Sequence, residues 1–337
     1  MDRLRARPID LHVHLRGTIN PATARLLADR NGLALPPDIF DEDHTMYCWS
    51  NFTEFLRTYD KVGSVIRNAA DLEWIAERYL LESAKEGTLY VEFMLSPFHL
   101  MAAGIPYNDQ LLAVSAASDR AREVSGIECR LIPTCVRHHG PEIAFEVAEL
   151  VAKHRHPIVV GFGMTGDERQ YNASDFVYAF RRAKDAGLKL TAHAGEFRGA
   201  ESVEESVRRL QLNRVGHGVR SIENPRVIEM LQSSGAGLEV CISSNVALGL
   251  YSSAQEHPFE QLRKAGCLVT LATDDPAYFA TSPQNEYLIA ANAFSLSEVD
   301  CKQITLNAID AAFCSDETKV HLRRLLDEQH HSYSTQE

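Results

Sequence analysis

Short apolar, β-branched runs recur along the chain. They are PIDLHVHL (8–15), TLYVEFML (88–95), IECRLIPTCV (127–136), PIVVGFGM (157–164), LKLTAHA (188–194), NRVGHGV (213–219), AGLEVCIS (236–243) and CLVTLATDD (267–275). Longer amphipathic stretches lie between most of them. DLEWIAERYLLESAKEG (71–87) and DFVYAFRRAKDAG (175–187) carry apolar residues at helical spacing and end in a glycine suited to stop a helix. Strand then helix, repeated eight times, is the pattern of an α/β fold of the (β/α)₈ TIM-like barrel type. The near-continuous apolar runs suit parallel strands covered on both faces. The interval between the first two runs, roughly 20 to 87, is long enough to hold extra helices inserted after the first strand. No linker, low-complexity tract or repeat divides the chain. Residues 1–337 therefore read as one barrel domain, with a polar tail from about residue 325.

Composition narrows the partners. The chain has 337 residues, 45% of them hydrophobic, and a formal net charge of -12. An acidic surface argues against a nucleic-acid backbone or an anionic membrane as the main partner. Seven cysteines are scattered without a CxxC pair and read as reduced thiols. No apolar run reaches the roughly 18 residues of a membrane span, so a cytoplasmic protein is expected.

In such barrels the chemistry sits at the C-terminal ends of the strands. His12 and His14 end the first run, two apart, so on a strand they share a face, and Arg16 would share it too. His193 ends the fifth run with Glu196 just beyond it, His217 ends the sixth, and Asp274 and Asp275 end the eighth. Any one of these alone reads as structural. Their convergence on one rim from distant runs favours a metal. Three imidazoles (His12, His14, His193) and a carboxylate (Asp274) suit one Zn²⁺ per subunit. Glu196 lies where it can pass a proton between water and a substrate nitrogen; as a structural group it would be a carboxylate at a helix start. His217 can orient the attacking water, or be a turn histidine between two glycines. Asp275 can share a proton with the substrate, or cap a helix.

Taken in order, HVHLRGTI, MTGDE, TAHAGE, RVGHG and ATDDP resemble the adenosine deaminase family of the amidohydrolase superfamily, over about residues 8 to 320. The resemblance implies a metal-dependent hydrolase with zinc on His12, His14, His193 and Asp274. It implies that Glu196 protonates the purine ring nitrogen beside the reacting carbon, that His217 assists the hydrolytic water, and that Asp275 hydrogen-bonds the purine's imidazole part. Gly166, in MTGDE, would offer its backbone to the purine edge. The implied reaction is attack of hydroxide on C6 of a 6-aminopurine with loss of the amine. Phe52, Phe55, Leu56 and Tyr59 fall at i, i+3, i+4 and i+7 and make one apolar stripe. Periodicity alone reads it as core packing; the resemblance makes it a lid over the purine.

Three positions depart from the family pattern: Arg16 replaces an acidic residue, Met94 an arginine and Gly163 an aspartate. Guanidinium has only donors and suits carboxylate or phosphate. One reading therefore gives the substrate an enlarged or anionic 5′ group, as in aminodeoxyfutalosine or N6-methyl-AMP. In the other, Arg16 folds back onto Glu54 or Asp60 and the substrate is plain adenosine or adenine. Two rival classes stand beside these. A two-metal amidohydrolase would usually need a carboxylated lysine at the end of the fourth strand, where VVGFGM has none. A non-catalytic binding protein would be expected to lack a ligand or Glu196, and all are present. The oligomeric state is left open.

Overall fold

Strand β1 (Ile9–His14) is buried along its whole length, as a parallel strand covered on both faces must be. Seven more follow in a computed structural model that describes residues 6–333, with side chains through residue 328. They are β2 (Tyr90–Leu95), β3 (Glu128–Val136), β4 (Gly161–Thr165), β5 (Lys189–Ala194), β6 (Arg214–His217), β7 (Gly237–Val240) and β8 (Val269–Leu271). All neighbouring pairs are parallel and the order is sequential from β1 to β8. A bridge between Val13 and Asp274 brings the last strand back to the first. Asp10 reinforces that seam by accepting from Thr273 Oγ1 at 2.6 Å. The chain is a (β/α)₈ barrel.

The long first interval holds three helices: α1 (Pro21–Arg30), α2 (Phe52–Gly63) and α3 (Ala69–Lys85). Each starts at an asparagine, Asn20, Asn51 or Asn68, whose side chain accepts from an amide of the first turn. The predicted helix over 71–87 is α3. Gly87 follows it at φ +98°, a left-handed conformation that glycine adopts without a Cβ penalty.

Several strands are shorter than their apolar runs, and two of them stop where a contact from elsewhere in the fold takes over. β7 stops at Val240 because the chain turns into the helix Ile242–Ala247. The buried Glu286 carboxylate receives the Ile242 and Ser243 amides at that helix's start, at 3.1 and 3.4 Å. β8 stops at Leu271 because Thr273 and Asp274 bond to β1 instead, the Asp274 amide donating to the His12 carbonyl at 2.8 Å. The polar stretch after residue 325 continues the helix Asp316–Tyr333, with Leu326 buried against the barrel floor. The final residues of that stretch, 334–337, lie outside the described residues. All seven cysteines are free, and all but Cys48 are buried.

A charged column runs up the barrel axis. Arg214, 1% exposed at its side chain, donates to Glu92 at 2.6 Å and to Glu239 at 2.5 Å. Glu92 also accepts from the Tyr90 hydroxyl and the Phe313 amide. Glu239 also accepts from Thr191 Oγ1 at 2.9 Å. The column ends at the rim, where its last carboxylate oxygen meets His12.

Candidate active site

The rim gathers the predicted ligands. His12 and His14 end β1, His193 lies near the end of β5, and Asp274 follows β8 in a left-handed backbone conformation, φ +63°. The Nε2 atom of His193 lies 3.1 Å from that of His12 and 3.4 Å from that of His14. Asp274 Oδ1 stands 3.2 Å from His14 Nε2 and 3.6 Å from His12 Nε2. One donor atom from each of the four residues lies within 4.8 Å of the other three, and all four residues are buried.

Their outer atoms are already engaged. His12 Nδ1 contacts Glu239 Oε2 at 2.7 Å, His193 Nδ1 donates to the Met164 carbonyl at 2.9 Å, and Ser244 Oγ donates to Asp274 Oδ2 at 2.6 Å. Those bonds leave Nε2 of both histidines and Oδ1 of the aspartate aimed at one point. Nitrogen and oxygen donors converging in this way, each braced from behind, fit a metal ion. Gly216 makes the packing possible: a Cβ there would lie 2.9 Å from the His12 ring.

Glu196 is 4% exposed and stands on the loop after β5. Burial pushes its carboxyl well above the usual range, and the charges of Asp274 and Glu168 push the same way. A carboxyl shifted upward in this way is suited to hold and pass a proton. His217 Nε2 lies 3.7 Å from Glu196 Oε2 and 4.0 Å from Asp274 Oδ2. Burial pushes His217 down to about 3, which keeps the ring neutral. It too holds a left-handed backbone, φ +58°; two non-glycine residues so held at one site is a pattern of functional centres. Asp275 is buried, with Oδ1 unpartnered; burial first, then the Asp274 charge, raises its carboxyl well above normal.

These groups form the floor of a cleft that opens to solvent. Phe52, Phe55, Leu56 and Tyr59 all line it from α2, so the stripe faces the cleft. The stripe also packs: Phe55 stacks on Phe279 at 5.4 Å, and Phe52 meets Phe197, the neighbour of Glu196, at 4.5 Å between ring centroids. Gly166 lines the cleft just after β4 at φ +97°, and a Cβ there would fall 2.9 Å from His138 Nδ1.

Arg16 borders the cleft by another route than strand alternation. β1 ends at His14, and Arg16 sits in a single 3₁₀ turn, Leu15–Thr18. Its Nη2 reaches Asp60 Oδ1 at 3.3 Å and the Tyr59 carbonyl at 3.4 Å, and its guanidinium lies 4.9 Å over the Tyr59 ring. Glu54 bonds Ser50 instead.

Several contributing residues escape a reading by motif. Glu168 accepts from the Gly195, Glu196, Phe197 and Arg198 amides at 2.6, 3.0, 2.8 and 3.0 Å, and so shapes the loop that carries Glu196. It lies within MTGDE, so its motif was visible while its role was not. Arg137 donates to the His193 carbonyl at 2.8 Å. Glu239 had a signal in the sequence: an acid inside the apolar run AGLEVCIS. Ser244, Asn245 and His257 had none.

Comparison with known proteins places the chain in a family. The family model for adenosine deaminase matches residues 8–329. An adenine deaminase of Chelativorans sp. (strain BNC1) is 42% identical over 313 residues, 93% of this chain and 95% of that protein. The crystal structure of an adenine deaminase from Arthrobacter aurescens superposes with a TM-score of 0.88 at 27% identity, over 96% of this chain and 99% of that one. A zinc-bound amidohydrolase of Burkholderia ambifaria gives 0.86 at 26% identity, over 97% and 91%. The Arabidopsis N6-mAMP deaminase gives 0.84 at 26% identity, over 96% and 98%.

Proposed function

The chain belongs to the adenosine deaminase family and is a hydrolytic deaminase acting on a C–N bond, and on that premise we propose that its substrate is a 6-aminopurine, free adenine, which it converts with water to hypoxanthine and ammonia. The observation that carries this reading is a buried carboxyl, Glu196, its pKa raised by burial, set beside a cage of three imidazoles and a carboxylate. Likeness to adenine deaminases over nine-tenths of the chain supports the free base as the substrate.

In this reading His12, His14, His193 and Asp274 hold one Zn²⁺, a preference drawn from the donor set and the zinc-bound relative. When bound, the ion supplies the Lewis acidity that makes water nucleophilic near neutral pH. Glu196 gives its proton to the ring nitrogen beside the amino-bearing carbon, takes a proton in return from the attacking water, and passes it to the departing amine. His217 faces the same reacting point. Asp275 bonds the imidazole edge of the purine, and the Gly166 backbone holds the other edge. Phe52, Phe55, Leu56 and Tyr59 cover the base and exclude water, which strengthens every charge interaction beneath them.

A second reading gives the purine an anionic 5′ group, as in N6-methyl-AMP or aminodeoxyfutalosine. Arg16 favours it: the residue borders the cleft, and its Nε and Nη1 have no partner. One panel separates the two. Ammonia or amine release is measured with adenine, adenosine, AMP, N6-methyl-AMP and aminodeoxyfutalosine. Adenine as the best substrate supports the first reading. Strong turnover of an acidic-tailed purine, abolished by Arg16→Met, replaces it with the second.

A further inference from the structure

Behind His217, away from the cleft, lie two buried polar side chains that the reaction as described does not use. Asn245 Nδ2 stands 3.3 Å from His217 Nδ1, and Asn245 Oδ1 stands 3.0 Å from His257 Nε2. His257 Nδ1 in turn lies 3.1 Å from the backbone amide of Phe259. His217, Asn245 and His257 are 1%, 0% and 2% exposed, so water does not share these bonds.

The order of donors in this chain is set from its far end. A backbone amide can only donate. Phe259 opens the helix Phe259–Lys264, and its amide has no partner in the preceding turn. It therefore donates to His257 Nδ1, which must be bare. The single proton of His257 is then on Nε2 and donates to Asn245 Oδ1. The amide of Asn245 is oriented by that bond, its NH₂ facing His217. An NH₂ group only donates, so His217 Nδ1 must be bare as well. The ring's proton sits on Nε2, the atom that faces Glu196 and Asp274 and has no hydrogen-bond partner of its own. A flipped Asn245 would set its NH₂ against the His257 N–H.

We propose that His257 and Asn245 are positioning residues that hold His217 in its Nε2–H form, so that His217 enters the reaction as a hydrogen-bond donor to an oxygen and not as a base. The neutral ring then has no lone pair at Nε2 with which to take a proton from water. Its N–H instead stabilises negative charge on the attacking oxygen. Proton transfer is left to Glu196.

The test is a two-bond ¹H–¹⁵N correlation spectrum of the ¹⁵N-histidine-labelled, metal-loaded protein. His217 and His257 are expected each to show a protonated Nε2 and a bare Nδ1. Asn245→Asp keeps the size but replaces the donor with an acceptor, so the His217 proton should move to Nδ1. With it, kcat should fall about 10- to 100-fold while KM and metal content hold. His257→Gln keeps an N–H for Asn245 and should retain kcat, whereas His257→Leu should lose it. A wild-type His217 protonated on Nδ1 would overturn the proposal, as would a His217 signal unmoved in Asn245→Asp. The wild-type spectrum decides even where a variant fails to fold. Only the kinetic arm rests on the deaminase reading, because the tautomer is read without turnover. Expected spectra from a protein inert to every purine would support the relay and count against that reading alone.

Discussion

Glu239 Oε2 meets His12 Nδ1 at 2.7 Å, and this contact joins the cage at the rim to the charged column below it. Burial alone would raise the Glu239 carboxyl, but Arg214 and His12 outweigh it and hold it down at about 2. An ionised carboxylate behind an imidazole fixes the ring's orientation and makes its other nitrogen a better ligand. Glu239→Gln should therefore weaken metal binding about 10- to 100-fold while the fold persists. Chelator competition measures it, and an unchanged affinity would make Glu239 merely structural.

Arg214 is the only positive charge hydrogen-bonded to both Glu92 and Glu239 among the described residues. Removing it leaves the buried Glu92 without a cation and Glu239 with His12 alone. Arg214→Met should cost about 3–5 kcal/mol in urea unfolding. The double variant Arg214→Met/Glu92→Gln should recover part of that loss, since the uncompensated charge of Glu92 is then gone.

The loop carrying Glu196 depends on Glu168, which collects four consecutive backbone amides and the Ser202 hydroxyl. A glutamine there sets an NH₂ against some of those N–H groups. Glu168→Gln should leave bound metal at the wild-type level and lower kcat by about 100-fold through misplacement of Glu196. Loss of metal in step with activity would show that the loop supports the cage instead.

Stability should also record the buried Glu286. Burial raises its carboxyl from 4.5 to about 7, and bonds from Ser243 and Thr281 only partly offset that. Below about 4.5 both the folded and unfolded chains hold the proton. Above it the unfolded chain releases the proton first, so the group's contribution is lost as pH rises through the folded value of about 7. Relative to Glu286→Gln, the wild type should lose up to about 3 kcal/mol between pH 4.5 and 7. Urea midpoints across that range measure it, and parallel pH curves for the two proteins would contradict it.

Eight runs and their order were legible because each strand is buried on both faces, which leaves an apolar stretch in the sequence. The ends of the later strands were not. β7 yields to a helix capped by Glu286, forty-odd residues away in sequence. β8 yields to Asp10 of β1. Both are tertiary contacts that no local pattern records. The inner ring of the site was legible for the opposite reason: His12, His14, His193, His217 and Asp274 are polar residues at the ends of apolar runs, where packing gives them no purpose. The groups behind them were hidden. Asn245 and His257 look like ordinary loop residues, and only the closed barrel sets them against His217. Arg16 was legible as a departure, but its turn onto Asp60 depends on where α2 lies.

The central claim is that one metal on His12, His14, His193 and Asp274 serves the deamination. It is tested most directly by adding zinc to metal-free protein and following ammonia release from adenine against metal equivalents. Activity should be absent without metal, rise linearly and break at one equivalent per chain, with no rise for His14→Ala. Turnover by the metal-free protein, or a break at two equivalents, would contradict the account.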